Sequence, residues 1–169
     1  MRNKDASRFA LMAALVMGAA LGHAADLLPE ARYSGIAPAG SRVDLTQIGS
    51  NNQARADQRG SQQRLVQVQS GAANTATLSQ SGAYNAAYAQ QQGYGNALGL
   101  EQSGRYNQAA VVQVGTANQA NVVQSGAYNQ AYVGQYGQGN QASVSQSGFG
   151  GTVSVQQYGN HMNATVTQK

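Results

Sequence analysis

From Val43 onward, polar and apolar positions recur with a period of eleven residues. Within each period a short stretch alternates at every second residue, and a glycine-containing stretch separates it from the next. With a glutamine taken as position 0, glycine stands at 2, usually asparagine at 5, usually alanine at 7, usually valine or leucine at 9, and the next glutamine at 11. In a strand, positions 5, 7, 9 and 11 point to one face, and the variable positions 6, 8 and 10 point to the other. The spacing therefore predicts twelve strands, near 43–47, 54–58, 65–69, 76–80, 87–91, 98–102, 109–113, 120–124, 131–135, 142–146, 153–157 and 164–168.

The marker residues keep this count without an insertion. The glutamines are Gln47, Gln58, Gln69, Gln80, Gln91, Gln102, Gln113, Gln124, Gln135, Gln146, Gln157 and Gln168. The asparagine slot holds Asn52, Asn74, Asn85, Asn96, Asn107, Asn118, Asn129 and Asn140. The glycines are Gly49, Gly60, Gly71, Gly82, Gly93, Gly104, Gly115, Gly126, Gly137, Gly148 and Gly159. Each glycine with its two followers is expected to form the turn, where a residue without Cβ adopts positive φ at little cost.

An eleven-residue period is also compatible with a right-handed helical supercoil. Here each repeat carries a glycine, which costs a helix about 1 kcal/mol, and no apolar stripe offsets it. A second periodicity then separates hairpins from a stacked coil. Tyr84, Tyr106 and Tyr128 are 22 residues apart at one turn position, while the alternate turns carry Ala73, Gly95, Ala117 and Gly139. The outward faces alternate too: Val66, Val68, Tyr88, Ala110, Val112 and Tyr132 on one set of strands, Arg55, Asp57, Thr77, Ser79, Glu101, Asn121, Ser143 and Ser145 on the other. The fold class expected is all-β, an amyloid-like β-solenoid of about six 22-residue strand-turn-strand-turn rungs, with two parallel-stacked sheets.

In that geometry each rung lies ~4.8 Å above the last, so identical amides stack and hydrogen-bond. A buried amide is costly unless paired, and a ladder pairs all but its ends. The glutamine and asparagine ladders are thus the expected self-assembly residues. A soluble solenoid needs distinctive polar caps. None is legible, because the motif continues to Gln168 and leaves strand edges open to another chain.

Composition narrows the setting. Residues 1–24 carry Arg2, Lys4 and Arg8 before an apolar run, Phe9 to Leu21, and end Gly22-His23-Ala24, the form of an export signal cleaved near Ala24. The run is short of the ~20 residues that span a bilayer. Residues 25–42 hold both prolines and none of the repeat, and are expected to be a flexible secretion or anchoring segment before a solenoid over 43–169. Residues 25–169 carry seven Lys/Arg and five Asp/Glu, a net +2 that gives little support to nucleic-acid binding. Without cysteine, an exported domain must rely on burial, backbone pairing or assembly.

Deviations concentrate at two places. In the third strand Gln63 replaces asparagine, Leu65 replaces alanine and Gln67 stands in the valine slot, with Arg55, Arg59 and Arg64 around it. These arginines read as a solvated charge group or as a contact to an anionic outer surface. Gly151 and Met162 interrupt the asparagine slot near the end. His161 has no ligand-spaced companion, the serines have no positional base, and no phosphate loop or calcium nonapeptide occurs. No enzyme, cofactor, metal or small-molecule substrate is expected.

Runs such as Gln-Ser-Gly-Ala-Tyr-Asn-Gln-Ala-Tyr-Val (124–133) and Gln-Val-Gly-Thr-Ala-Asn-Gln-Ala-Asn-Val (113–122) resemble the curlin repeat, glutamine-x-glycine-x-x-asparagine-x-alanine. The resemblance covers 43–169 and implies a curli subunit: an exported amyloid protein of adhesive surface fibres and biofilm matrix. It implies as partners further copies, a homologous curli subunit, an outer-membrane secretion pore and periplasmic or surface accessory factors. Residues 25–42 would replace the family's secretion signal, although their prolines depart from its form. The arginines, the degraded third strand and the ending Val-Thr-Gln-Lys (166–169) look more like the minor, nucleating subunit than the major one; the regular middle rungs look like the major one. A monomeric solenoid binding carbohydrate or ice is the alternative of another class.

Overall fold

A computed structural model describes residues 40–169. The expected leader over 1–24, and 25–39 of the segment after it, lie outside the described residues. Twelve strands follow: β1 (Arg42–Ser50), β2 (Gln53–Ser61), β3 (Arg64–Ala72), β4 (Thr75–Ala83), β5 (Ala86–Tyr94), β6 (Ala97–Arg105), β7 (Gln108–Thr116), β8 (Gln119–Ala127), β9 (Gln130–Gln138), β10 (Gln141–Phe149), β11 (Thr152–Asn160) and β12 (Asn163–Gln168). Odd strands form one six-stranded sheet, ordered β1-β3-β5-β7-β9-β11, and even strands form the other. Every pairing is parallel, and each residue lies beside the one 22 positions on, as in Gln80 beside Gln102 and Gly82 beside Gly104. The chain is thus a β-solenoid of six 22-residue turns.

Inner positions of the two sheets meet in one core. Leu65, Leu78, Val111, Val122, Val133 and Val144 are fully buried, and small residues such as Ala76, Ala109 and Ala120 alternate with them. The outer faces differ. On the odd sheet Val66, Val68, Ala110 and Val112 are half-buried beside Tyr88, whereas on the even sheet Thr77, Glu101, Asn121 and Ser145 face solvent.

The turns begin later than the spacing predicts. Each strand before β12 is nine residues long and runs through the marker glycine. Gly49, Gly60, Gly71, Gly82, Gly93, Gly104, Gly115, Gly126, Gly137, Gly148 and Gly159 therefore lie within paired strands, at φ between 99° and 136°. At Gly49 through Gly137 what excludes a side chain is the next turn of the coil: a Cβ on Gly104 would stand 1.9 Å from the carbonyl oxygen of Gly126. The chain reverses two residues further on, at a residue in the left-handed region: Ala73 (φ 57°), Tyr84 (φ 60°), Tyr106 (φ 59°) and Ala117 (φ 54°). The N-terminal boundary also shifts. Arg42 belongs to β1, and Ser41 Oγ accepts the Gln63 N–H at 3.2 Å, so the last residues of 25–42 are already part of the first turn.

These two glycine environments lead to opposite expectations. Gly104→Ala forces Cβ into a backbone carbonyl and is expected to abolish the native strand signal or lower the stability of the assembled coil to urea by more than about 3 kcal/mol. Gly95→Ala has open space around its Cβ and a φ of 65° like its alanine and tyrosine counterparts, so it should cost on the order of 1 kcal/mol. Equal losses in the two variants would contradict this account of the strand glycines.

Candidate assembly interface

The glutamine side chains form two continuous ladders. In the odd sheet the Nε2 of Gln47, Gln69, Gln91, Gln113 and Gln135 donates to the Oε1 of Gln69, Gln91, Gln113, Gln135 and Gln157, at 2.6, 2.7, 2.9, 2.9 and 2.8 Å. In the even sheet Gln58, Gln80, Gln102, Gln124 and Gln146 donate in turn toward Gln168, at 2.6, 2.7, 2.8, 2.8 and 3.1 Å. Gln69 through Gln157 are buried, whereas Gln47 is exposed and Gln58 and Gln168 are half-buried at the ends.

The second Nε2 proton has a task that the repeat spacing does not disclose. It donates to a backbone carbonyl in the opposite sheet: Gln91 to Thr75 at 3.0 Å, Gln102 to Ala86 at 3.1 Å, Gln124 to Gln108 at 3.0 Å. The interior glutamines from Gln69 to Gln135 thus tie their own sheet along the axis and both sheets across the core. Two donors and one acceptor are satisfied without water, which makes a fully buried amide tolerable.

The asparagines act at the bends. Asn85 Nδ2 donates to the Ser81 carbonyl, four residues back, at 2.8 Å, and to the Gly104 carbonyl of the next turn at 3.1 Å. Asn85 Oδ1 accepts the Asn107 N–H at 3.0 Å. Asn52, Asn74, Asn96, Asn107, Asn118, Asn129 and Asn140 repeat this arrangement in their own columns, all but Asn52 buried. Each asparagine closes its own bend and holds the following turn of the coil at the strand glycine. Tyr84, Tyr106 and Tyr128 stack at the surface of one such bend, with ring centroids 4.7 and 4.9 Å apart, and Phe149 continues the column tilted on Tyr128.

The third strand carries the defects that its sequence announces. Gln63 reproduces the asparagine donors, to the Arg59 and Gly82 carbonyls at 2.9 and 3.0 Å, but its longer side chain leaves Oε1 without a partner. Gln67, in the valine slot, is buried with neither amide atom bonded. Its register partners in the flanking strands are Leu45 of β1 and Ala89 of β5. The arginines do not form one patch. Arg55 and Arg59 project from the outer face of β2, where Arg59 meets Asp57 at 3.2 Å, while Arg64 begins β3 in the other sheet. Alternation sends their side chains to opposite outer faces. His161 sits at a bend with φ 55°, its ring over Gly139. Among the described residues no group of three or more His, Asp or Glu side chains could hold a metal.

Two stretches of the chain, 71–104 and 115–148, match the family described as the curlin associated repeat. They span regular turns in the middle of the coil. No curated protein is a significant match.

Two substitutions separate the paired from the unpaired buried amides. Gln102→Glu places a carboxyl where two donors are needed, and above its raised folded pKa the buried charge should cost about 3–5 kcal/mol. Stability should return as pH falls below that pKa, because the protonated acid is the form the core accepts. A urea midpoint that does not vary with pH would contradict a buried ladder. Gln67→Val removes two unpaired atoms and should raise the midpoint, by an amount that corresponds to about 1–3 kcal/mol of stability.

Proposed function

We propose that the chain is the exported subunit of a curli-type surface fibre, joined head to tail through its open turns. The observation that carries this reading is the register. Every turn lies on the next with no offset, glutamine on glutamine and glycine on glycine, so any turn is a template for any other. β1 and β2 are edge strands at one end of the described coil, and β11 and β12 at the other. Continuing the register sets one copy's β1 and β2 on the β11 and β12 of another. Gln157 and Gln168 end their ladders as donors, and Gln47 and Gln58 offer the matching acceptors. Val43 and Leu45, over 40% exposed at the first edge, would be covered by Val153 and Val155 of the preceding copy.

The curlin repeats support placing the fibre at the cell surface, reached through an outer-membrane secretion pore with accessory factors, where it serves adhesion and biofilm matrix. In this reading Gln47 to Gln168 and Asn52 to Asn140 are the assembly residues. Within such a fibre we assign the chain to the minor, nucleating subunit. The unpaired Gln67 and the interrupted asparagine slots at Gly151 and Met162 are faults that a bulk building block has reason to avoid. The regular coil from β4 to β10 favours the major subunit as the second reading.

Residues 25–169 are expected to convert from soluble chains into fibres with a meridional reflection at about 4.7–4.8 Å. A stable monomer with one sharp unfolding transition would sink the polymer. Deleting the gene separates the two roles. Loss of attached fibres with another fibre protein still secreted into the medium identifies the nucleator, and disappearance of the fibre protein itself identifies the major subunit.

A further inference from the structure

Along each bend column an asparagine gives two hydrogen bonds to the turn that follows it. The last to do so on its side is Asn140, whose Nδ2 donates to the Gly159 carbonyl at 2.8 Å and whose Oδ1 accepts the Met162 N–H at 3.0 Å. Met162 occupies the next position of that column. Its thioether has no donor and is only a weak acceptor. The sulfur lies near Gly159, 3.6 Å from where a Cβ would stand, and the residue is 40% exposed. The strand that follows it, β12, is the edge of the even sheet.

The 22-residue register fixes what an asparagine at this position would reach. With Gln58 of a second copy over Gln168, the second copy's Gly49 carbonyl and Asn52 N–H take the places that Gly159 and Met162 take beneath Asn140. The backbone ladder and the glutamine ladder continue across such a joint, since neither depends on residue 162. The asparagine bonds do not.

We propose that Met162 leaves the joint between two copies two hydrogen bonds short of an asparagine-held boundary inside the coil, and so makes the joint the slow-adding and first-breaking plane of the polymer; this rests on the head-to-tail assembly proposed above. The position is a specificity determinant of the end surface. A homologous chain whose closing turn carries asparagine there seats on β1 and β2 better than this chain's own closing turn does. Gly151 withholds the same group from the other column, where the second copy's Ser41 N–H takes the place that the Gly151 N–H takes beneath Asn129.

The test compares fibres of the wild-type chain, Met162→Asn and Met162→Leu by the concentration of soluble chain left at the end of assembly and by the number of ends created under a fixed shear. Restoring two bonds should lower the residual concentration of Met162→Asn about tenfold and reduce breakage, with Met162→Leu matching the wild type. Wild-type fibres with an unchanged Met162→Asn, or a Met162→Leu that gains as much, would overturn the role of residue 162 alone. A wild-type chain that stays monomeric would overturn the assembly reading, and this one with it.

Discussion

Stacking each residue on its own counterpart at ~4.8 Å is the constraint from which the rest of this structure follows. At that distance a side chain must be favourable next to a copy of itself. Carboxylates and ammonium groups fail the test through like-charge repulsion, and the buried positions contain neither. Primary amides pass it, because each carries donors and an acceptor along one direction. Planar rings pass it as well, and Tyr84, Tyr106 and Tyr128 lie within 11° of parallel. At the strand glycines the same closeness acts as a prohibition. From Gly49 to Gly137, where another turn follows, backbone approaches backbone so nearly that no Cβ fits.

Much of this is legible in the residue spacing because the constraint acts identically in every turn. Alternation places Gln80, Leu78 and Ala76 on one face, and the 22-residue recurrence of tyrosine distinguishes the coil from a series of hairpins. What the spacing conceals are the features that need the two sheets together. Gly104 looks like a turn residue, since glycine usually marks positive φ in turns, yet its positive φ occurs inside a strand. The bend falls instead on residues as different as Ala73 and Tyr106, whose left-handed conformation no composition signal marks. The bond from Gln102 to the Ala86 carbonyl is equally hidden, because it depends on how far apart the facing sheets lie. Arg55, Arg59 and Arg64 look like a cluster only along the chain; one bend between β2 and β3 separates them.

Repetition also explains why the defects are tolerated. In a coil where each turn contacts only its neighbours, stability is close to a sum of local terms, and a poor turn weakens its own boundaries without unsettling distant ones. Gln67 illustrates the limit. Its unpaired amide would be a severe fault in the middle of a small globular core, but here it affects the boundaries of β3 with β1 and β5. The two irregular regions are placed accordingly, one near each end of the described coil, with the fully bonded turns between them.

The directions of the two amide ladders bear on why both residue types are present. Glutamine donates from each turn to the next, so every link in its column points the same way. The asparagine carbonyl runs the opposite way, accepting from the turn above, as Asn74 accepts from Asn96 and Asn96 from Asn118. Stacked dipoles of one sense accumulate along an axis, as they do in a helix. The asparagine amide instead turns both its N–H and its C=O toward the following turn, so its column adds no one-way run of its own, and every boundary presents both donors and acceptors. An end surface of this kind recognises its counterpart by pattern rather than by charge. That suits a coil with no ionised group among the buried side chains of its described residues, and it makes a single missing amide at a bend column a change in what the end can bind.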